Sequence, residues 1–166
     1  MSLGKVIHRQ PAPISVTECK NVCNEASVDY ISSLELKFKK VRATKEIKGS
    51  LNSEWDMPSV VCSCGKPGKE IISTDCCKTS IKSKNCHIKL KRVLPGPLDS
   101  PYPLKGMGIH GSGFRVGHCA EPHAANTLLK KTNCNVSDIV FGLSLATDDG
   151  SPRNACLTCK ATFKQL

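Results

Sequence analysis

Three cysteines in the last third of the chain limit its fold more than any other feature. Cys119 opens the run Cys119-Ala120-Glu121-Pro122, and 34 residues separate Glu121 from Cys156-Leu157-Thr158-Cys159. Pro122 suits the first turn of a helix, where its missing N–H is not needed. Ala124, Ala125, Leu128 and Leu129 continue one apolar stripe to about residue 131. Residues 138–146 (DIVFGLSLA) read as a buried strand, and Asn154 as the cap of a second helix carrying Cys156, Cys159 and Phe163. With residues 113–117 as a short strand, the order is strand, helix, strand, helix. That order predicts an α/β fold whose mixed sheet is partly parallel, with helices on both faces.

The spacing carries chemistry. Cysteines at i and i+3 of a helix start lie on one face, and a third thiolate from another helix start completes a tripod. A catalytic zinc takes three protein ligands and leaves one position open for water. Glu121, two residues past Cys119, is placed beside such a metal without ligating it. A carboxylate there can take a proton from water and pass it on. Zinc deaminases share this layout, a ligand-x-Glu element followed by Cys-x-x-Cys, and act at C4 of cytosine or C6 of adenine. A lone Cys-x-x-Cys also suits a redox pair or a structural metal. The redox reading leaves Cys119 and Glu121 without roles.

Residues 117–124 (GHCAEPHA) resemble the cytidine deaminase-like superfamily, in particular the YwqJ-type polymorphic-toxin deaminases, in which a Cys-Ala-Glu-Pro stretch opens the first core helix. The resemblance covers about residues 85–166. It implies a three-layer α/β fold, one zinc held by Cys119, Cys156 and Cys159, and Glu121 as proton shuttle. It also implies a delivered effector that edits nucleic acid and is countered by an immunity protein. The chain departs from the family in two places. Pro152 lies four residues before Cys156 rather than beside it, and seven residues follow Cys159. Strands near residues 59–94 are therefore expected to complete the sheet.

Four further residues are candidates for substrate contact: His118 and His123 beside the motif, His110 in a Gly-rich loop, and Phe114 as a base-stacking ring. Each has a plainer reading as a second ligand, a packed side chain or a loop residue. Asn126 and Thr158 read as structural.

Upstream, residues 15–18 (SVTE) form a capping box, and apolar residues recur at helical spacing to Leu34. Leu36 and Phe38 then alternate with lysines, as a short strand or a frayed helix end. Residues 49–58 read as a linker. This divides the chain into a helical, basic extension at 1–58 and a zinc domain at 59–166. Strands are expected at 59–64, 70–74 and 86–94, and loop at 95–113. Cys62, Cys64, Cys76, Cys77, Cys86 and His87 offer material for a second, structural metal site.

The formal net charge is +10, with seventeen Lys and Arg against ten Asp and Glu before residue 100. A basic chain attracts polyanions, so single-stranded DNA or RNA is the expected partner, and residues 78–92 are a candidate contact. A free-nucleoside deaminase and a non-enzymatic zinc-stabilised binding module are the alternatives. No apolar run is long enough for a membrane span, and the first residues lack the core of a secretory signal. Eleven cysteines also allow a disulfide-rich secreted protein. Thiolate ligands require a reducing place of action, reached by a non-classical route if the protein is exported.

Overall fold

The computed structural model describes residues 5–48, 58–102 and 115–166, with side chains of the first helix described as far as residue 37. The centre is a hairpin of β2 (Val60–Gly65) and β3 (Ile71–Cys76), with Val61 opposite Cys76 and Gly65 opposite Ile72. Its turn follows the run 65–68 (GKPG), whose Gly and Pro suit a reversal, and Gly68 takes the positive φ that the reversal requires. β1 (Val6–Arg9) adds to the free side of β3. β5 (Ser144–Ala146) adds to β2, and β6 (Pro152–Arg153) to β5. β4 (Val140–Phe141) pairs with the Gly65 end of β2.

Successive strand residues face opposite sides of a sheet, and two helices divide them. On one face, α1 (Val16–Lys48) packs Tyr30, Ile31 and Leu34 against Val61, Cys76 and Leu145. One turn earlier, Cys19, Cys23 and Ala26 meet Ile72 and Val140. On the other face, α3 (Ala120–Thr132) packs Ala120, Ala124, Ala125, Leu128 and Leu129 against Cys62, Cys64 and Phe141. Among the described residues, α2 (Ile88–Lys91) and α4 (Leu157–Thr162) are the other α-helices, both short. The architecture is a three-layer α/β sandwich of six strands with helices on both faces. A buried chain of hydroxyls, Ser27 to Ser63 to Thr74 at 2.6 Å each, ties α1 to the sheet.

Several expectations are corrected. All described strand pairs are antiparallel, not partly parallel. β5 runs antiparallel to β2 and so in the same sense as β3. The crossover through α3 does join two like-directed strands, but β2 lies between them. Residues 5–37 pack onto the sheet of the expected zinc domain: β1 pairs with β3 and α1 covers one face. α1 extends to Lys48 because residues 16–48 hold no Gly or Pro to stop it. Leu36 and Phe38 therefore lie within a helix. Residues 86–94 hold no strand, and four of them form α2, capped where His87 Nδ1 accepts from Lys89 N–H at 3.1 Å. Residues 115–117 form a turn, and Gly117 at φ 85° excludes a strand there.

The expected strand over 138–146 is broken between β4 and β5 by close approach of α1. A Cβ on Gly142 would lie 2.8 Å from both Cys23 Cβ and Asn24 Oδ1. Asn24 instead accepts from Leu143 N–H at 2.7 Å. Gly142→Ala is expected to cost about 1–3 kcal/mol by overpacking, read as a lowered midpoint in urea unfolding. An unchanged midpoint would show that α1 can recede from the sheet.

Candidate metal centre

Residues 117–119 are placed by the loop that follows β3. Lys78 N–H donates to His118 O at 3.0 Å and Ile81 N–H to Gly117 O at 3.3 Å. A Cβ on Gly117 would meet Ser80 Oγ at 2.7 Å and Leu98 Cδ2 at 2.8 Å, so only glycine fits this turn. Cys119 follows as the N-cap of α3, and Cys156 is the N-cap of α4, the position expected of Asn154. α4 has six residues, too few to hold itself together. Phe163 fixes its end by packing on Phe141 with ring centroids 4.8 Å apart, and Gln165 Nε2 donates to Val136 O and Ile139 O.

The two helix starts converge. The sulfurs of Cys119, Cys156 and Cys159 all lie within 4.8 Å of one another, and Cys119 Sγ is 3.3 Å from Cys156 Sγ. This group could hold a metal ion, and among the described residues it is the one such group. Cys62, Cys64, Cys76, Cys77, Cys86 and His87 do not gather into a second. Cys62 and Cys64 face α3 while Cys76 faces α1. No two of the eleven cysteines are joined.

The electrostatics are those of crowded anions. The Cys119 thiol is pushed above its ordinary range, first because it shares its proton with Cys156, against a smaller opposing bond to Cys159. The Cys159 thiol is raised by its hydrogen bonds to Cys119 and Cys156, then by burial. The partial positive charge of a helix start favours a thiolate, but crowding outweighs it here. Glu121 is 4 % exposed. Burial raises its carboxyl above the usual range, while hydrogen bonds from Cys159, its own N–H and Ser144 pull the other way.

Cys119, Glu121 and Cys156 line one cavity of about 1030 Å³. Ser59, Ser144 and Thr147 add polar side chains to its wall. Exposed Lys78, Arg153 and Asn154 stand at its open side with Glu35 and Asp148. From sequence, Lys78 reads only as part of the basic stretch 78–92 and Asn154 only as a helix cap, and the others are not singled out. Ser144 had a readable signal, as a polar residue inside an apolar strand run.

His118 also lines the cavity, and its Nε2 lies 2.6 Å from Asp99 Oδ1. That bond, with Arg115 beside it, holds the Asp99 carboxyl below its ordinary range. His123 is not among the lining residues. Two helical steps turn it about 200° from Glu121, where its Nε2 bonds Thr79 O at 3.0 Å. His110 and Phe114 lie outside the described residues. Asn126 is structural, accepting from His87 N–H at 2.8 Å and donating to Asn85 O at 2.9 Å. Thr158 is buried.

No family model, curated protein or solved structure matches this chain. Among the described residues, no helix is long and apolar enough to cross a membrane.

His123 gives the site's support a pH limit. Burial, opposed by nearby Asp75, lowers its pKa to about 4 from 6.5. The unfolded chain therefore takes up a proton first as pH falls. Stability present above pH 6.5 is expected to decline toward pH 4, by about 3 kcal/mol at most. His123→Asn should flatten that part of the pH–stability curve. An unaltered slope would mean that His123 titrates as freely in the folded protein as in the unfolded chain.

Proposed function

We propose that this chain is a zinc-dependent hydrolytic deaminase acting on cytosine or adenine in nucleic acid, as a toxin or effector domain. The observation that carries the reading is that three sulfurs from two helix starts meet beside a buried carboxylate on one cavity.

The donor set suits zinc. Tetrahedral bonds of about 2.3 Å place sulfurs about 3.8 Å apart, within the range these three span. Three soft ligands leave a fourth position for water, and no fourth described Cys, His, Asp or Glu joins the group to close it. Zinc bound there would supply a Lewis acid that lowers the pKa of its water to roughly 7.

The chain's own residues account for the protons. Glu121 takes one from the attacking water and gives it to the ring nitrogen. It then carries the second to the departing amine. Water oxygen replaces the exocyclic nitrogen, and ammonia leaves. Burial suits Glu121 to holding a proton between these steps. Ser144 orients its carboxylate. Lys78 is paired with buried Asp75 at 2.9 Å and Arg153 shares the cavity lining with Glu35 and Asp148, so the preference for nucleic acid over a neutral nucleoside rests on the chain's net charge of +10. An immunity protein able to block the cavity mouth is the partner that the resemblance suggests.

Expression in a host, followed by sequencing of its DNA and RNA, should show C-to-T or A-to-G changes. Glu121→Ala should keep one equivalent of zinc by elemental analysis and lose editing about 10²–10⁴-fold. Equal editing by Glu121→Ala would overturn the reading. Cys159→Ser should lose the metal as well.

A further inference from the structure

A second cavity, of about 580 Å³, lies where α2 and α4 end. Lys89 and Arg92 line it from α2 and the residue after it, and Lys164 from beyond α4. Asn135, Ser137 and Gln165 add neutral hydrogen-bonding groups, and no Asp or Glu lines it. The imbalance extends beyond the cavity. Residues 76–98 carry six Lys and Arg, residues 122–137 two and residues 150–166 three, and none of these segments holds an acid.

Helix ends attract cations for their own sake, but that need is already met at α3. Asn133 caps it in the left-handed conformation, and Lys89 Nζ donates to Asn133 O at 2.7 Å and Cys134 O at 3.3 Å. Arg92 and Lys164 are exposed beside it.

The same acid-free segments connect the two cavities. Residues 76–98 carry Lys78 on the metal-site cavity and Lys89 and Arg92 on the second. Residues 150–166 carry Arg153 on the first and Lys164 on the second. α4 starts at the metal group with Cys156 and ends at the second cavity with Thr162, and its six residues span about 9 Å.

We infer that the second cavity binds the phosphate backbone of a single nucleic-acid strand, flanking the base held in the metal-site cavity. The inference rests on the deaminase reading for the base but not for the anion site. Arg92 and Lys164 contact phosphates, and Asn135 and Ser137 donate to phosphate and sugar oxygens, while Gln165 is already bonded to Val136 O and Ile139 O. Such contacts fix where a strand lies without selecting its sequence.

The test is fluorescence anisotropy of labelled single-stranded DNA and RNA oligonucleotides with the full chain carrying Glu121→Ala, so that binding is read without turnover. Arg92→Glu with Lys164→Glu should weaken binding about tenfold. It should also lower the slope of log affinity against log salt by about 1.4, as two lost phosphate contacts imply. Lys20→Glu, an exposed reversal on α1, should change neither. Arg92→Gln with Lys164→Gln repeats the test should the reversed pair fail to fold. Binding unchanged in the paired variants, or weakened equally by Lys20→Glu, would overturn the inference. So would binding to phosphatidylserine vesicles in the absence of oligonucleotide binding. Host editing abolished or retained by Glu121→Ala decides the deaminase reading separately, since the anisotropy result does not depend on it.

Discussion

Three thiols and a carboxyl group packed into one buried corner cannot all be ionised without a cation among them. Cys119 keeps its proton through Cys156, Cys159 through Cys119 and Cys156, and Glu121 is pressed toward its neutral form by burial. Removing charge by protonation satisfies the corner electrostatically but leaves three thiols packed on one another with little bonding to hold them. A divalent metal bound there would resolve the crowding, because coordinated thiols ionise and the positive charge stabilises them. The rest of the molecule brings two helix starts to that point.

The sheet makes the convergence possible by alternation. β2 sends Cys62 and Cys64 to the side of α3, and Val61, Ser63 and Gly65 to the side of α1. α3 can lie close because its contact face is small, with Ala120, Ala124 and Ala125 against the sheet. β5 joins the hairpin from the β2 side and delivers Ser144 to the cavity. α4 is short and depends on Phe163 and Gln165, so the second pair of ligands is held by packing rather than by helix propensity. Gly117, in a conformation and a space that admit no side chain, aims the first ligand.

Much of this could be read from residue types. The β-prone runs at 59–64 and 70–74 became β2 and β3, and Cys119 and Cys156 do open helices. The grouping of the three cysteines followed from spacing, since i and i+3 on a helix share a face. What could not be read was long-range. Residues 6–9 look irregular beside Pro11 and Pro13, yet they become a strand because β3 has an edge to cover. The break at Gly142 depends on how closely α1 approaches, which no local pattern records. His123 has the composition of a site residue, but the helix turns it toward Thr79. Residues 86–94 alternate like a strand, and the His87 cap made them a helix.

The charge distribution and the metal corner belong to one design if the substrate is a strand with a base turned into the cavity. The claim beneath both is that the cysteine tripod holds a zinc with one position left open. X-ray absorption at the zinc edge of the purified protein tests it directly. The account requires about three sulfur neighbours near 2.3 Å and one light atom near 2.0 Å. Four sulfurs would mean a closed structural site, and a protein purified without zinc that does not take it up would remove the chemistry altogether.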